Sequence, residues 1–185
     1  MTSAPEPVQG GPDVALRTAV REIEQHVAES GWDQPARLYA LVPTADLIAR
    51  EPRLAQAMGL DAAPREGPGS LTPVEQDHVP VDRALEDVLA GIVWPAEVLG
   101  AAAVVERLVL PPSADDQLPE DGEAAERYAA EHPDRQEVRL VAAATRDGST
   151  YCALRLREHD DAASVLEAPD LVPALLQLVR GTLEN

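Results

Sequence analysis

The sequence predicts an α+β fold: an antiparallel sheet of about four strands that includes a C-terminal hairpin, with helices packed mainly on one face. Three observations carry this. Two strand-like runs flank a tight bend at Arg146-Asp147-Gly148, helical periodicity marks the first and last segments, and strict strand–helix alternation is missing. The last point disfavours a doubly wound parallel sheet and leaves an antiparallel one. With 185 residues the chain is sized for a single domain, expected over residues 12–185 behind a flexible tail at 1–11.

Pro12-Asp13 opens the first helix, in which Leu16, Val20, Ile23 and Val27 recur at helical spacing. Arg17, Arg21, Glu24 and Gln25 lie between these, and Gly31 is placed to end the helix in the left-handed conformation. Residues 37–42 read as a short strand stopped by Pro43, and Thr44 as the N-cap of a short helix carrying Leu47 and Ile48. A further turn is expected over 54–58, and a loop over the Gly- and Pro-rich 59–69. Residues 70–80 hold Pro73 and Pro80, which permit an edge strand or coil. Asp82 is expected to cap a helix with Leu85, Val88, Leu89 and Ile92 on one stripe, ending at Trp94-Pro95. Gly100 and Pro111-Pro112 bracket a strand at about 102–110. A Pro/Asp-rich loop follows, then a short helix at 123–131.

The bend at 146–148 admits two registers. A two-residue Asp147-Gly148 turn would pair Ala144 with Tyr151. A three-residue loop with Gly148 left-handed shifts the pairing by one. In that register one face carries Val138, Leu140, Ala142, Ala144, Cys152, Leu154 and Leu156, and the other Arg139, Thr145, Tyr151, Arg155 and Arg157. The second register sorts apolar from polar side chains, and a one-residue slip would mix them, so the three-residue loop is expected. A polar turn at 158–161 leads to a closing helix with Asp170 as N-cap and Pro173 in its first turn.

The chemistry on offer is bounded by composition. There are 33 acidic and 15 basic residues, for a net charge of −18. Such a field repels nucleic-acid phosphates and anionic lipid, and favours basic partners or cations. Every basic residue counted is Arg and none is Lys, which excludes Schiff-base, Walker and kinase-type lysines. None of the usual phosphate-loop, dinucleotide, hydrolase-elbow or zinc-protease spacings occurs. One cysteine, Cys152, permits no internal disulfide and no cysteine zinc cluster, and on the inward hairpin face it reads as a small buried hydrophobe. No secretory leader or membrane-spanning run is visible, so the expected location is cytoplasmic.

Three polar groupings remain. Arg139, Arg155 and Arg157, with Tyr151, share the outer hairpin face. They either receive an anionic ligand or partner peptide, as the planar guanidinium fork suits, or neutralise the acidic 113–137 segment. Glu75, Asp77 and His78 form one grouping, in which Glu75 and Asp77, as alternate residues of an extended segment, could point together, and His159 sits among Glu158, Asp160 and Asp161; both groupings read first as an exposed loop or solvated turn. Glu106-Arg107 interrupts the apolar strand: either one of the two charges faces a covered side and needs a partner, or, as is commoner, the pair marks where the strand leaves the core. Trp32 and Trp94, at element boundaries, read as core or lid residues.

The stretches Leu38-Tyr39-Ala40-Leu41-Val42-Pro43-Thr44, Trp94-Pro95 through Glu106-Arg107 and Leu110-Pro111, and Asp170-Leu171-Val172-Pro173 resemble a family of uncharacterised proteins from high-GC Gram-positive bacteria (actinobacteria). These motifs are structural punctuation, and the resemblance implies a cytoplasmic protein without carrying over any site residue. The functional expectation is a non-enzymatic interaction, adapter or chaperone-like module. The alternative is a small-ligand or divalent-metal-dependent protein with an unfamiliar site. No cofactor, nucleic acid or membrane partner is expected, and a homodimer through a hairpin edge is open.

Overall fold

A computed structural model describes residues 12–60, 69–77 and 79–184; the tail expected at 1–11 lies outside them. One antiparallel sheet runs in the order β2-β1-β3-β4-β5-β6. Its strands are β1 (Arg37–Pro43), β2 (Leu71–Glu75), β3 (Gly100–Val109), β4 (Gln136–Thr145), β5 (Thr150–Leu156) and β6 (Leu166–Ala168). The α-helices are α1 (Pro12–Glu29), α2 (Thr44–Arg50), α3 (Pro52–Ala57), α4 (Leu85–Ala90), α5 (Gly122–Glu131) and α6 (Pro173–Leu183).

The expected count of about four strands is corrected to six. The first addition, β2, is the segment left open between edge strand and coil. Thr44 N donates to the Ser70 carbonyl and Gln76 N to the Leu38 carbonyl, each at 2.9 Å. Counting alternately from these pairs, Pro73 opposite Leu41 turns its missing N–H to the free edge, where no ladder bond is lost and further pairing is blocked. The second addition, β6, is three residues long and too short to leave a pattern.

The hairpin has the three-residue loop. Thr145 N donates to the Ser149 carbonyl and Gly148 N to the Thr145 carbonyl, both at 3.0 Å, and Gly148 has φ 94°. Ala144 pairs with Thr150 and Leu140 with Leu154. The hairpin edge is covered in part, because β6 pairs with β5 at Cys152, Ala153 and Leu154.

The helices cover both faces, which corrects the expectation of one. Trp94 with Leu85 and Leu89 of α4, and Leu175, Leu176, Val179 and Leu183 of α6, pack on the face of Ala103, Leu140, Ala142 and Cys152. On the other face α1 lays Leu16, Ala19, Val20, Ile23 and Val27 over Leu41, Ala102, Val104, Val141, Ala143 and Ala153. The cause lies in β3 and β4. From Gly100 to Val105 and from Val138 to Thr145 every residue is buried, and a strand apolar at both parities requires cover on both sides.

Helix starts differ from the expected caps. Pro43, Ala84 and Val172 hold the N-cap positions of α2, α4 and α6, in place of Thr44, Asp82 and Asp170. The Thr44 hydroxyl instead meets that of Thr72 at 2.8 Å in the interior. Asp121 caps α5 by accepting from Ala124 N at 3.0 Å. Arg146, in the hairpin loop, reaches back to the Val98 carbonyl at 2.9 Å, Trp94 at 3.2 Å and Leu183 at 2.5 Å. It thereby ties the hairpin to the last turn of α6, whose carbonyls lack helical partners.

The Ala-rich centre leaves no slack at Gly100. A Cβ there would lie 2.6 Å from the Ala144 carbonyl oxygen and 3.2 Å from Leu41 Cδ1. Gly100→Ala is therefore expected to lower stability by about 1–3 kcal/mol through overpacking. The check is a urea titration in which the midpoint falls and the slope stays unchanged.

Candidate functional site

Arg139 and Arg155 stand directly opposite each other on β4 and β5, on the face that α1 covers. Both are buried, at 1% and 5% exposure. Arg155 grips Glu24 of α1 through a two-pronged contact, Nε–Oε1 at 2.5 Å and Nη2–Oε2 at 3.0 Å, and adds Asp160 at 3.1 Å. Arg139 lies 4.3 Å from the centre of the Trp32 ring. It donates to the Gly31 carbonyl and, at 3.2 Å, to Glu106, while its Nε and Nη1 have no partner. Arg157 falls just past β5 in a 3-10 turn, 5.6 Å from the same ring. It pairs with Asp33 at 3.0 Å and with Glu137.

The chain builds this layer locally. Gly31 ends α1 with φ 77° and Asp33 follows at φ 64°, so the loop folds back across the sheet. Glu106 pins it by accepting from Asp33 N at 2.8 Å and Gln34 N at 3.2 Å. Glu106 is thus the inward member of the Glu106-Arg107 pair, and Arg107 is exposed. Trp32 closes the layer, its indole N–H donating to Asp160 at 3.0 Å. The lid role expected for a boundary tryptophan is met by Trp32, whereas Trp94 is in the core and donates to Thr182 at 2.8 Å.

Arg139, Arg155 and Arg157 are therefore brought together, and Tyr151 is not. The Tyr151 hydroxyl donates to Glu167 at 3.1 Å, and Glu167 also receives Arg21 at 2.8 Å. Of the acidic 113–137 segment only Glu137 pairs with one of the three arginines; Glu24, Glu106, Asp33 and Asp160 do the rest. Sequence reasoning missed Glu24, which it placed among the polar positions of the first helix; its position next to Ile23 and one turn after Val20 was the available signal.

A second polar feature lies where β1 begins and β2 ends. A cleft of about 290 Å³ runs between residues 34–37 and 75–77. Arg37 contacts Glu75 at 3.5 Å and the Gln34 side-chain carbonyl at 3.4 Å, and His26 stands 3.7 Å from Glu75. The buried Tyr39 hydroxyl beside them lacks a hydrogen-bond partner. Burial first, and then the Glu75 charge, push it up to about 12. Glu75 and Asp77 thus share one feature, as expected of alternate residues, while His78 lies outside the described residues. In the other histidine grouping Asp160 faces Trp32 and Arg155, and Asp161 faces Ser164. Among the described residues no three His, Cys, Asp or Glu side chains gather as a metal site. Cys152 is fully buried, and burial pushes its thiol up, away from the reactive thiolate.

Two outcomes follow for the buried layer. Glu24→Ala leaves buried Arg155 with Asp160 as its one remaining carboxylate partner and is expected to cost about 3 kcal/mol, whereas Glu24→Leu with Arg155→Leu recovers most of the loss. Chemical denaturation of both variants checks this.

The second outcome concerns pH. The Trp32 indole and then Arg155 hold Asp160 below the usual carboxylate range, and Arg21 and then Tyr151 do the same for Glu167. A carboxyl depressed in the folded state adds stability that is present above its unfolded pKa, about 3.9 for Asp and 4.3 for Glu. That stability is lost as the pH falls through the folded value. Melting temperatures of the parent and of Asp160→Asn should therefore differ most near neutral pH and converge below about pH 4.

No curated protein and no solved structure matches the chain. A family model described as PPA1309-like protein matches residues 16–184, nearly the whole chain and further toward the N-terminus than the stretches that first carry the likeness. The chain belongs to the PPA1309-like protein family.

Proposed function

We propose that the protein is a non-enzymatic interaction module, an adapter or chaperone-like component of an actinobacterial cytoplasm, and that its partner is a basic protein segment with apolar side chains. Among the described residues no helix is long and apolar enough to cross a membrane. The observation that carries the reading is the outer end of the β3–β4 ribbon. There Leu108 and Val109 are 41% and 43% exposed. The connection between these strands contributes α5, none of whose side chains is buried, and an exposed Leu118. Asp115, Asp116, Glu120, Glu123 and Glu126 surround these residues in sequence and are exposed.

Half-exposed apolar side chains followed in sequence by an exposed, mainly acidic connection suit a partner that supplies both apolar contact and positive charge. The arginines favoured by sequence reasoning are matched by carboxylates of the chain itself, which leaves the acidic end as the surface with charge to offer. A photo-reactive residue at Leu108, with a second at the exposed Val81 as control, tests this in cells. The expected result is one discrete adduct from position 108 that is lost on Val109→Asp and weakened by salt in extracts. Identical adducts from both positions, or none from 108, would sink the reading.

A further inference from the structure

The cleft between residues 34–37 and 75–77 is independent of the surface just described. Its volume of about 290 Å³ lies just under the roughly 300 Å³ at which drug-sized small-molecule sites begin, which suits a smaller ligand. Its charges are divided: Arg37 lies on the wall from β1, and Glu75 and Asp77 on the wall from β2. The contacts already made are long. Arg37 is 3.5 Å from Glu75 and 3.4 Å from Gln34, and His26 is 3.7 Å from Glu75. Asp77 is exposed and, among the described residues, has no ion-pair partner. Tyr39, paired with Glu75 across the two strands and two residues along from Arg37, does not line the cleft; its buried hydroxyl makes no hydrogen bond and lies within the influence of Arg37 and Glu75.

We propose that this cleft binds a small zwitterion of net positive charge, of the basic amino acid class. Its ammonium groups are received by Asp77 and Glu75, and its carboxylate by Arg37. One fixed cation facing two fixed anions asks for a ligand with two positive groups and one negative. A simple anion is opposed by the net charge of −18. A divalent cation is opposed by the guanidinium against Glu75, and oxygen-seeking cations use six or more ligands. The Gln34 amide bridges Arg37 and the Trp32 carbonyl, at 3.4 and 3.3 Å, so an occupied cleft also steadies the loop that roofs Arg139.

Calorimetric titration of the full chain with L-lysine tests the proposal, with thermal melting alongside. The expected result is saturable heat and a melting temperature that rises with the logarithm of ligand concentration. Cadaverine, which lacks the carboxylate, should bind at least tenfold more weakly. Asp77→Asn should weaken L-lysine at least tenfold without moving the ligand-free melting temperature, because Asp77 is at the surface. Arg37→Gln should remove the preference for L-lysine over cadaverine. No saturable response to L-lysine or L-arginine, equal binding of cadaverine, or unchanged affinity in Asp77→Asn would each overturn it. So would a saturable response to magnesium or calcium with none to the amino acids. Because the cleft and the β3–β4 end share no residue, either assignment can fail alone.

Discussion

Two guanidinium groups face each other across neighbouring strands beneath a helix, and much of the polar architecture answers to that pairing. Like charges directly opposite on a sheet repel, and burial removes the water that would screen them. Arg155 is matched by Glu24 and Asp160. Arg139 is matched by Glu106, by the Gly31 carbonyl and by the Trp32 ring. The answering groups come from four parts of the chain: α1, the loop after it, β3 and the turn after β5. The charges thus bind those segments to one place, where apolar contact alone would have tolerated sliding.

Why the arginines are buried at all follows from the sheet. β3 and β4 carry Ala and Val at both parities, so neither face can be left to water. Small side chains bring α1 close to one face and α6 to the other. The polar end of the hairpin then falls under the C-terminal end of α1, and Arg139 and Arg155 are covered with it. A sheet with one open face would have left them solvated and without need of Trp32.

This is also where the sequence was most and least legible. The hairpin register could be read because Gly148 supplies a left-handed residue and because large side chains alternate with arginines around it. The cover on the second face was signalled too, by Val141, Ala143 and Ala153 lying between the arginines and Tyr151. It was outweighed by the assumption that Arg and Tyr on one face mean solvent. Glu24 carried the same ambiguity, since a glutamate on an amphipathic helix reads as exposed unless its partner is known. β6 is three residues long and exists through pairing with β5, and the cleft depends on where β2 leaves β1; both are tertiary facts that local pattern does not encode. Of the candidate site, sequence reasoning found the three arginines and the Glu75–Asp77 pair, and missed the carboxylates that neutralise the first and the Arg37 wall that completes the second.

The absence of lysine gives the buried layer its form. An ammonium group is a point charge that needs three acceptors close around it, whereas a guanidinium is flat and can rest on an aromatic face while donating in its own plane. Arg139 does this, lying over Trp32 and donating sideways to Gly31 and Glu106. Arg155 uses the same planarity to meet both oxygens of Glu24. Arg157 sets its fork against Asp33, at 3.0 and 3.1 Å, in the loop between α1 and β1. A lysine at any of the three positions would keep the charge and lose the plane. What holds the loop at residues 31–34 down is therefore the shape of the cation as much as its sign, and this connects a composition with arginine as its sole strong base to a lid made of one tryptophan.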